Sequence, residues 1–205
     1  MRRLTFVFVA MALVYANISC AQVKKQNLLL DDFEGEISGG PEGTVDFGAG
    51  AGSSLQVKAA TDIKNTGAQS LRLVYDAVSG GYMWVARGFG LDAKHAAWLV
   101  KHDEINWPQY QAWSFYMYGS DSKAKIAFDI KDNGNELWRF MVEDNFKGWK
   151  QIVCPFCEFF ARGDWQPDNA EKNATLDFPI KSFQFEPRPV AKGVTYFDTV
   201  ELISR

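Results

Sequence analysis

The stretch from Asn106 to Phe160 reads NWPQYQAWSFYMYGSDSKAKIAFDIKDNGNELWRFMVEDNFKGWKQIVCPFCEFF. Within it, Ile126, Phe128 and Ile130 alternate with other side chains, and this period of two is typical of a half-buried β-strand. The segment 132–135, Asp-Asn-Gly-Asn, follows directly and is a strong hairpin signal, because Asn and Gly tolerate positive φ. The stretch therefore predicts antiparallel strands joined by tight turns.

Other runs along the chain show the same alternation. Within the quoted stretch they lie at residues 113–118, 137–143 and 149–153. Further short strands are predicted before it, at residues 54–58, 71–75 and 82–87. Strands at a spacing of roughly 8–12 residues indicate a β-sandwich or a β-barrel.

Two segments lack an alternating pattern. Residues 39–54 contain six glycines and no Gly-Lys-Ser/Thr phosphate-loop signature, so they are predicted to form a mobile loop that joins the first strands. Residues 92–102 include the run Ala-Ala-Trp-Leu and are predicted to form a short helix inserted in a loop.

Five short motifs stand in an order and at a spacing that resemble one protein family. They are DDFEG at 31–35, NWPQY at 106–110, FYMYGSD at 115–121, GWK with a following PF and Phe at 148–159, and YFDTV at 196–200. They resemble the non-catalytic carbohydrate-binding modules of family 11 and their galactose-binding-like jelly-roll relatives. The resemblance covers about residues 28–203. It implies an all-β fold, a two-sheet antiparallel β-sandwich (jelly roll, galactose-binding-like) at residues 28–205, that binds a β-linked glucan.

The predicted binding residues lie on the sheet face that points away from the core. Side chains that alternate with the apolar core positions point to this face, and they include Asp129 and Arg139. Aromatic rings contact the C–H faces of sugars, while carboxylate, amide and guanidinium groups bind hydroxyls. Strand parity and the resemblance together select Tyr82, Trp84, Asp129, Arg139, Glu143, Gln184 and Glu186. The alternative is a solvated sheet face whose charges pair across strands.

The resemblance also implies a structural Ca²⁺ ion between the first and the last strands, where modules of this kind often hold one. Calcium takes about 6–8 oxygen ligands. The predicted ligands are Asp32, Glu34, Asn65 and Asp198. The alternative is that these residues are ordinary surface groups.

The N-terminus predicts export. Arg2 and Arg3 precede an apolar segment, and together they indicate a secretory signal peptide over residues 1–21, followed by a linker at 22–27. The apolar segment is too short for a comfortable transmembrane helix. The alternative is a lipoprotein signal that is cut before Cys20 and leaves a lipid anchor there. The mature protein is therefore predicted to be secreted, periplasmic or at the cell surface.

Composition and motifs argue against several other functions. A chain of 205 residues has the size of one domain, and a net charge of −3 without a basic run argues against nucleic-acid binding. Cys154 and Cys157 have the spacing of a thioredoxin-like redox site, but the βαβ framework of such a site is not predicted. These cysteines are expected to form a local disulfide or to remain two small buried residues.

The chain is predicted not to be an enzyme, and two alternatives stay open. One is a weak glycoside hydrolase, which needs two opposed carboxylates and has Asp129 and Glu143 as candidates across the sheet. The other is a structural or assembly protein of the same fold, as in the intermediate-associated protein 30 relatives.

Overall fold

The computed structural model describes residues 26–205, so the predicted signal peptide at 1–21 and most of the linker at 22–27 lie outside the described residues. Residues 26–205 form twelve β-strands and three 3-10 turns, without an α-helix. The strands are β1 (Leu28–Asp31), β2 (Asp46–Gly50), β3 (Ser54–Ala60), β4 (Ser70–Ala77), β5 (Tyr82–Gly88), β6 (Tyr110–Ser120), β7 (Lys125–Lys131), β8 (Leu137–Glu143), β9 (Lys147–Pro155), β10 (Phe160–Ala161), β11 (Ser182–Pro187) and β12 (Ala191–Ser204). In this range no helix has the length and apolarity that a membrane span requires.

The strands form two antiparallel sheets of six strands each. The first sheet has the order β3-β4-β12-β6-β9, and β1 also pairs with β12. The second sheet has the order β10-β8-β7-β11-β5-β2. The predicted all-β fold, a two-sheet antiparallel β-sandwich, is thereby confirmed.

The core lies between the two sheets. Ile126, Phe128 and Ile130 of β7 are fully buried, as their alternation predicts. Ala127 and Asp129 on the other face of β7 are fully buried too, so this strand is buried on both faces and not half-buried as predicted. The ring of Phe185 on β11 stacks on that of Phe197 on β12, with ring centroids 3.7 Å apart. This contact joins the two sheets, because β11 belongs to the second sheet and β12 to the first. Buried aromatic rings of this kind supply large apolar area and a defined packing geometry.

The glycine-rich segment 39–54 differs from its prediction. It was expected to be a mobile loop, but it contains strand β2, which pairs with β5 at the edge of the second sheet. Gly48 and Gly50 of this strand carry no side chains, so the alternation that marks a strand is missing from its sequence.

The prediction of a short helix at residues 92–102 is wrong. The chain there is irregular up to a 3-10 turn at His102–Glu104. Its backbone N–H groups bond to distant carbonyls, as Leu99 does to the oxygen of Leu30 at 2.8 Å. Trp98 of this segment is buried, so tertiary contacts outweigh the local preference for a helix.

Candidate functional site

A groove of about 740 Å³ lies on the outer face of the second sheet. The side chains of Ala86 on β5 and of Ser182 and Gln184 on β11 line it from the sheet. Alanine and serine are small, so they leave room above the sheet surface at this point. The groove therefore lies on the same strand face that was predicted to bind carbohydrate.

One side of the groove is formed by two aromatic side chains of β5. The rings of Tyr82 and Trp84 are nearly parallel, with centroids 6.2 Å apart and planes at 14°. Tyr82 is 54% exposed, so a ligand can reach its ring. The indole Nε1 of Trp84 donates a hydrogen bond to Asp46 Oδ1 at 3.1 Å, which holds this ring in place. We call Tyr82 and Trp84 the aromatic pair.

The other side of the groove is formed by the segment that follows β10. Strand β10 lies at one edge of the second sheet, and β5 lies near the opposite edge. Trp165 of this segment lines the groove and is 57% exposed. The guanidinium of Arg162 lies over its ring, 5.6 Å from the centroid. Arg162 also donates to Asp164 Oδ1 at 2.6 Å. The contact with Arg162 thus holds an exposed tryptophan at this side of the groove.

A buried ion pair lies beneath the groove. Arg139 on β8 stands opposite Asp129 on β7, and its guanidinium donates two hydrogen bonds of 2.8 Å to the Asp129 carboxylate. Arg139 Nη2 also lies 2.8 Å from Glu186 Oε2. Asp129 is 0% exposed, Arg139 5% and Glu186 2%. A bidentate pair of this kind fixes the orientation of both side chains.

Two further arginines connect this pair to the surface. Arg162 Nη1 lies 2.9 Å from Glu186 Oε2 and 3.3 Å from Asp129 Oδ2. Arg188 bonds to Glu186 and lies 3.1 Å from Asp164 Oδ2. With Arg139, three arginines therefore share the three carboxylates of Asp129, Asp164 and Glu186. We call these six residues the ionic network.

The pKa shifts follow from burial and from these contacts. Burial acts to lower the pKa of Arg139, but its hydrogen bonds and attraction to Asp129 outweigh burial and raise it above its usual value. Burial raises the pKa of Glu186, against the attraction of Arg139 and Arg162. Burial also acts to raise the pKa of Asp164, but its hydrogen bond and attraction to Arg162 lower it overall. Arg139 therefore stays charged at neutral pH.

Most of the predicted binding residues come together here. Those that line the groove are Tyr82, Trp84, Gln184 and Glu186. Asp129 and Arg139 lie under it, and Gln184 Nε2 donates to Asp129 Oδ2 at 3.3 Å. Glu143 lies apart from them, because it is exposed at the end of β8, opposite Lys125, and does not line the groove.

Other groove residues were not found by sequence analysis. Among them are Asp46, Asp92, Arg162, Asp164 and Trp165. Asp46 belongs to a strand without an alternating pattern, and the segment 162–165 has no periodicity at all.

Asp129 and Glu143 do not form the carboxylate pair of a glycosidase. Asp129 on β7 stands opposite Arg139 on β8. Glu143 lies on β8, four residues beyond Arg139, and stands opposite Lys125. Four residues of β-strand span about 13 Å. The two carboxylates of a glycosidase are about 5–9.5 Å apart. This pair is therefore not placed for glycoside hydrolysis.

Two of the predicted calcium ligands, Glu34 and Asp198, accept hydrogen bonds from the loop between β3 and β4. The Asp198 carboxylate accepts the backbone N–H of Asn65 at 2.8 Å, and that of Glu34 accepts the N–H of Ala68 at 2.8 Å. Asp32 Oδ1 accepts the N–H of Glu34 at 3.2 Å. Each of these carboxylates thus already accepts at least one N–H group, and a carboxylate has about four acceptor sites. Within residues 26–205, no group of three or more His, Cys, Asp or Glu is placed to hold a metal ion.

A calcium ion at this loop stays a prediction, and thermal unfolding tests it. Binding to the folded state alone raises stability, so a bound ion is expected to give a higher melting temperature with calcium than with EDTA. Asp198→Asn is expected to remove the difference. An unchanged melting temperature in excess EDTA, with no metal found by elemental analysis, would contradict the prediction.

The two cysteines of the Cys-x-x-Cys motif are not joined. Cys154 is buried in β9, and Cys157 is exposed in the 3-10 turn Phe156–Glu158. Neither expected arrangement is present, because one thiol is buried and the other is exposed. Burial raises the pKa of the Cys154 thiol well above its usual value, and since the thiolate is the nucleophile, this residue is not set up for redox catalysis.

Comparison with known sequences gives one family. The family model described as carbohydrate binding domain (family 11) matches residues 18–205. The match includes every strand of the sandwich and both sides of the groove. No curated protein sequence matches the chain.

Comparison with solved structures gives the same fold. The family 11 carbohydrate-binding module from Clostridium thermocellum, in complex with a β-1,3-1,4-mixed-linked tetrasaccharide, is 24% identical with a TM-score of 0.65, over 87% of this chain and 95% of that one. The family 11 module of a cellulosomal cellulase from Clostridium thermocellum is 21% identical with a TM-score of 0.67, over 88% and 95%. A β-1,2-glucanase from Parabacteroides distasonis is 14% identical with a TM-score of 0.54, over 88% of this chain and 26% of that one. At these identities the likeness establishes the fold.

Proposed function

The chain belongs to family 11 of the carbohydrate-binding domains, and on that premise we propose that its groove binds a β-linked glucan chain without cleaving it. The family consists of non-catalytic modules, so binding is the activity expected of this domain. The observation that carries the proposal is the aromatic pair, which stands beside a groove lined by polar side chains.

The aromatic pair offers a surface for the apolar faces of sugars. Its rings are nearly parallel and 6.2 Å apart. They sit two residues apart on one strand, where side chains on the same face repeat at about 6.6 Å. The C–H faces of successive sugar units bury apolar area on such rings, and that burial favours binding.

Polar side chains around the rings are placed to bind hydroxyls. Gln184 both donates and accepts hydrogen bonds, and Asp46 accepts them. The ionic network holds Glu186 from below through Arg139 and Arg162. Groups that are fixed before the ligand arrives lose less conformational entropy on binding, so the network supports affinity as well as stability.

We choose a β-linked glucan over other sugars because of the ligand bound to a structurally similar family 11 module. The family 11 module that is 24% identical to this chain was solved with a β-1,3-1,4-mixed-linked tetrasaccharide. A groove of about 740 Å³ has the size of an oligosaccharide or drug-sized site. We therefore take a glucose-based chain as the ligand of this groove.

The two alternatives have less support. A weak hydrolase loses its candidate carboxylate pair, because Asp129 is fully buried and Glu143 lies outside the groove. A structural or assembly protein of the same fold would use the sheet face for a protein partner. A groove with aromatic rings on both sides and polar groups between them suits a sugar better.

Export is also part of the proposal. Its support is the sequence pattern of residues 1–21, with either soluble export or a lipid anchor at Cys20. Native protein whose measured mass includes an intact Met1 would contradict it.

Calorimetric titration of the purified protein with the β-1,3-1,4-mixed-linked tetrasaccharide tests the proposed function. We expect saturable binding, weaker or no binding of xylan and starch oligosaccharides, and no release of reducing ends from any of them. A folded protein that binds none of these sugars would contradict the proposal and favour the assembly alternative. Release of reducing ends would favour the hydrolase.

A further inference from the structure

Two glycines of the edge strand β2 stand opposite the aromatic pair. The register of β2 and β5 sets Gly48 against Trp84 and Gly50 against Tyr82. Side chains at directly opposed positions lie on the same face of a sheet. Each glycine therefore leaves an empty position beside a large ring. Glycine weakens the interior of a strand because it has no side chain to pack. A glycine in a strand often marks a place where another group approaches the backbone closely.

The rings occupy the space that side chains at these two positions would take. A Cβ atom on Gly48 would lie 2.5 Å from Cη2 and 2.7 Å from Cζ2 of Trp84. A Cβ atom on Gly50 would overlap Cζ and the hydroxyl of Tyr82. Favourable contacts between carbon atoms lie at about 3.5–4.0 Å. Each ring therefore has to move if its glycine gains even a methyl group.

Backbone conformation does not explain these glycines. The glycines with positive φ are Gly40, Gly52, Gly67, Gly80, Gly88, Gly90 and Gly148. Gly48 and Gly50 are not among them, so their backbone is one that other residues adopt. Glycine is suited to these two positions because it has no side chain.

Strand β2 also fixes the Trp84 ring by a hydrogen bond. Asp46, two residues before Gly48, accepts the indole N–H of Trp84 at 3.1 Å. The other oxygen of the Asp46 carboxylate accepts the backbone N–H of Asp92 at 3.1 Å, which orients the carboxylate. The Trp84 ring thus lies across β2, with Gly48 next to its far end and Asp46 at its nitrogen.

From this geometry we infer that Gly48 and Gly50 are positioning residues of the glycan site. Because they carry no side chain, Trp84 and Tyr82 lie across the edge strand in the orientation in which both rings contact the sugar chain. The inference rests on the proposed function, since it needs the aromatic pair to bind the glycan. Strand β2 is thus part of the site, because the absence of side chains at Gly48 and Gly50 sets the positions of the two rings.

Gly48→Ala tests the inference, and Gly35→Ala is the matched control because a Cβ atom on Gly35 has no atom within 4 Å. Gly48→Ala is expected to fold, since only the far end of one side chain is in its way. We expect it to lower the affinity for the β-1,3-1,4-mixed-linked tetrasaccharide about tenfold, whereas Gly35→Ala keeps it. In fluorotryptophan-labelled protein, the fluorine resonance that Trp84→Ala removes is expected to shift in Gly48→Ala and to stay in Gly35→Ala.

A double-mutant cycle separates this role from a general effect on the fold. In the Trp84→Ala background, Gly48→Ala is expected to cause no further loss of affinity, because the ring that it displaces is gone. An equal loss in both backgrounds would overturn the inference. So would a Gly48→Ala variant that binds like wild type while Trp84→Ala binds weakly, and that result would leave the proposed function intact. Full affinity in Trp84→Ala would overturn both.

Discussion

Replacing Arg139 with alanine is expected to lower the free energy of unfolding by about 3–5 kcal/mol, because it removes one partner of a buried ion pair. Asp129, which is 0% exposed, then loses both hydrogen bonds of its bidentate partner. Arg162 stays 3.3 Å from Asp129 and does not replace that geometry. A buried carboxylate without its partner costs much more than the intact pair contributes. Urea unfolding measures the change as a lower midpoint at an unchanged slope.

Lys192→Ala is the control for Arg139→Ala. It also breaks an ion pair, since Lys192 Nζ lies 2.8 Å from Asp76 Oδ2, but these side chains are 78% and 40% exposed. Exposed pairs contribute about 0–1 kcal/mol, so little change is expected. Arg139→Lys keeps the charge but loses the two-pronged geometry, and we expect it to fall between the two. Equal urea midpoints for Arg139→Ala and Lys192→Ala would show that the ionic network does not stabilise the fold.

Replacing Trp84 with alanine is expected to weaken the binding of the β-1,3-1,4-mixed-linked tetrasaccharide roughly ten- to a hundredfold. The physical reason is the loss of an aromatic surface whose burial contributes about 1.5–3 kcal/mol. The fold is expected to persist, because Trp84 lies on the outer face of its sheet and is only partly buried. Calorimetric titration gives the affinity, and thermal unfolding checks the fold.

Trp149→Ala is the matched control for Trp84→Ala. Trp149 lies on β9 of the first sheet, where its ring packs edge to face on Tyr118 with centroids 5.5 Å apart. It does not line the groove, so its loss is expected to leave the affinity unchanged. If Trp84→Ala folds and binds as well as this control, the sugar does not contact the aromatic pair.

The two predictions separate recognition from stability. Arg139 and Trp84 are both predicted binding residues for the same reason, since strand parity points both away from the core. In the structure Trp84 lines the groove, while Arg139 is 5% exposed beneath it. Removal of Arg139 therefore acts first on the fold, and it reaches the ligand through the positions of Glu186 and Arg162.

Much of the fold could be predicted because it depends on local alternation. Ile126 and Phe128 are buried where a period of two places them, and Asp129 points to the opposite face. The candidate site could be predicted as far as strand parity extends, which covers the aromatic pair and Gln184. Groove residues on segments without periodicity, such as Trp165, could not be predicted in this way.

Alternation along the sequence is enough to assign the side of an alternating strand that faces the core, because successive side chains point to opposite faces whatever their partners are. How deeply a polar residue is buried on the other face depends on its tertiary contacts. Arg139 is buried where Glu186 contacts its guanidinium and Arg162 contacts Asp129, and both Glu186 and Arg162 come from later parts of the chain. Gly48 belongs to a strand because β5 pairs with it and the Trp84 ring fills its empty position. Both outcomes depend on neighbours distant in sequence, and such packing outweighs local preference in a β-sheet.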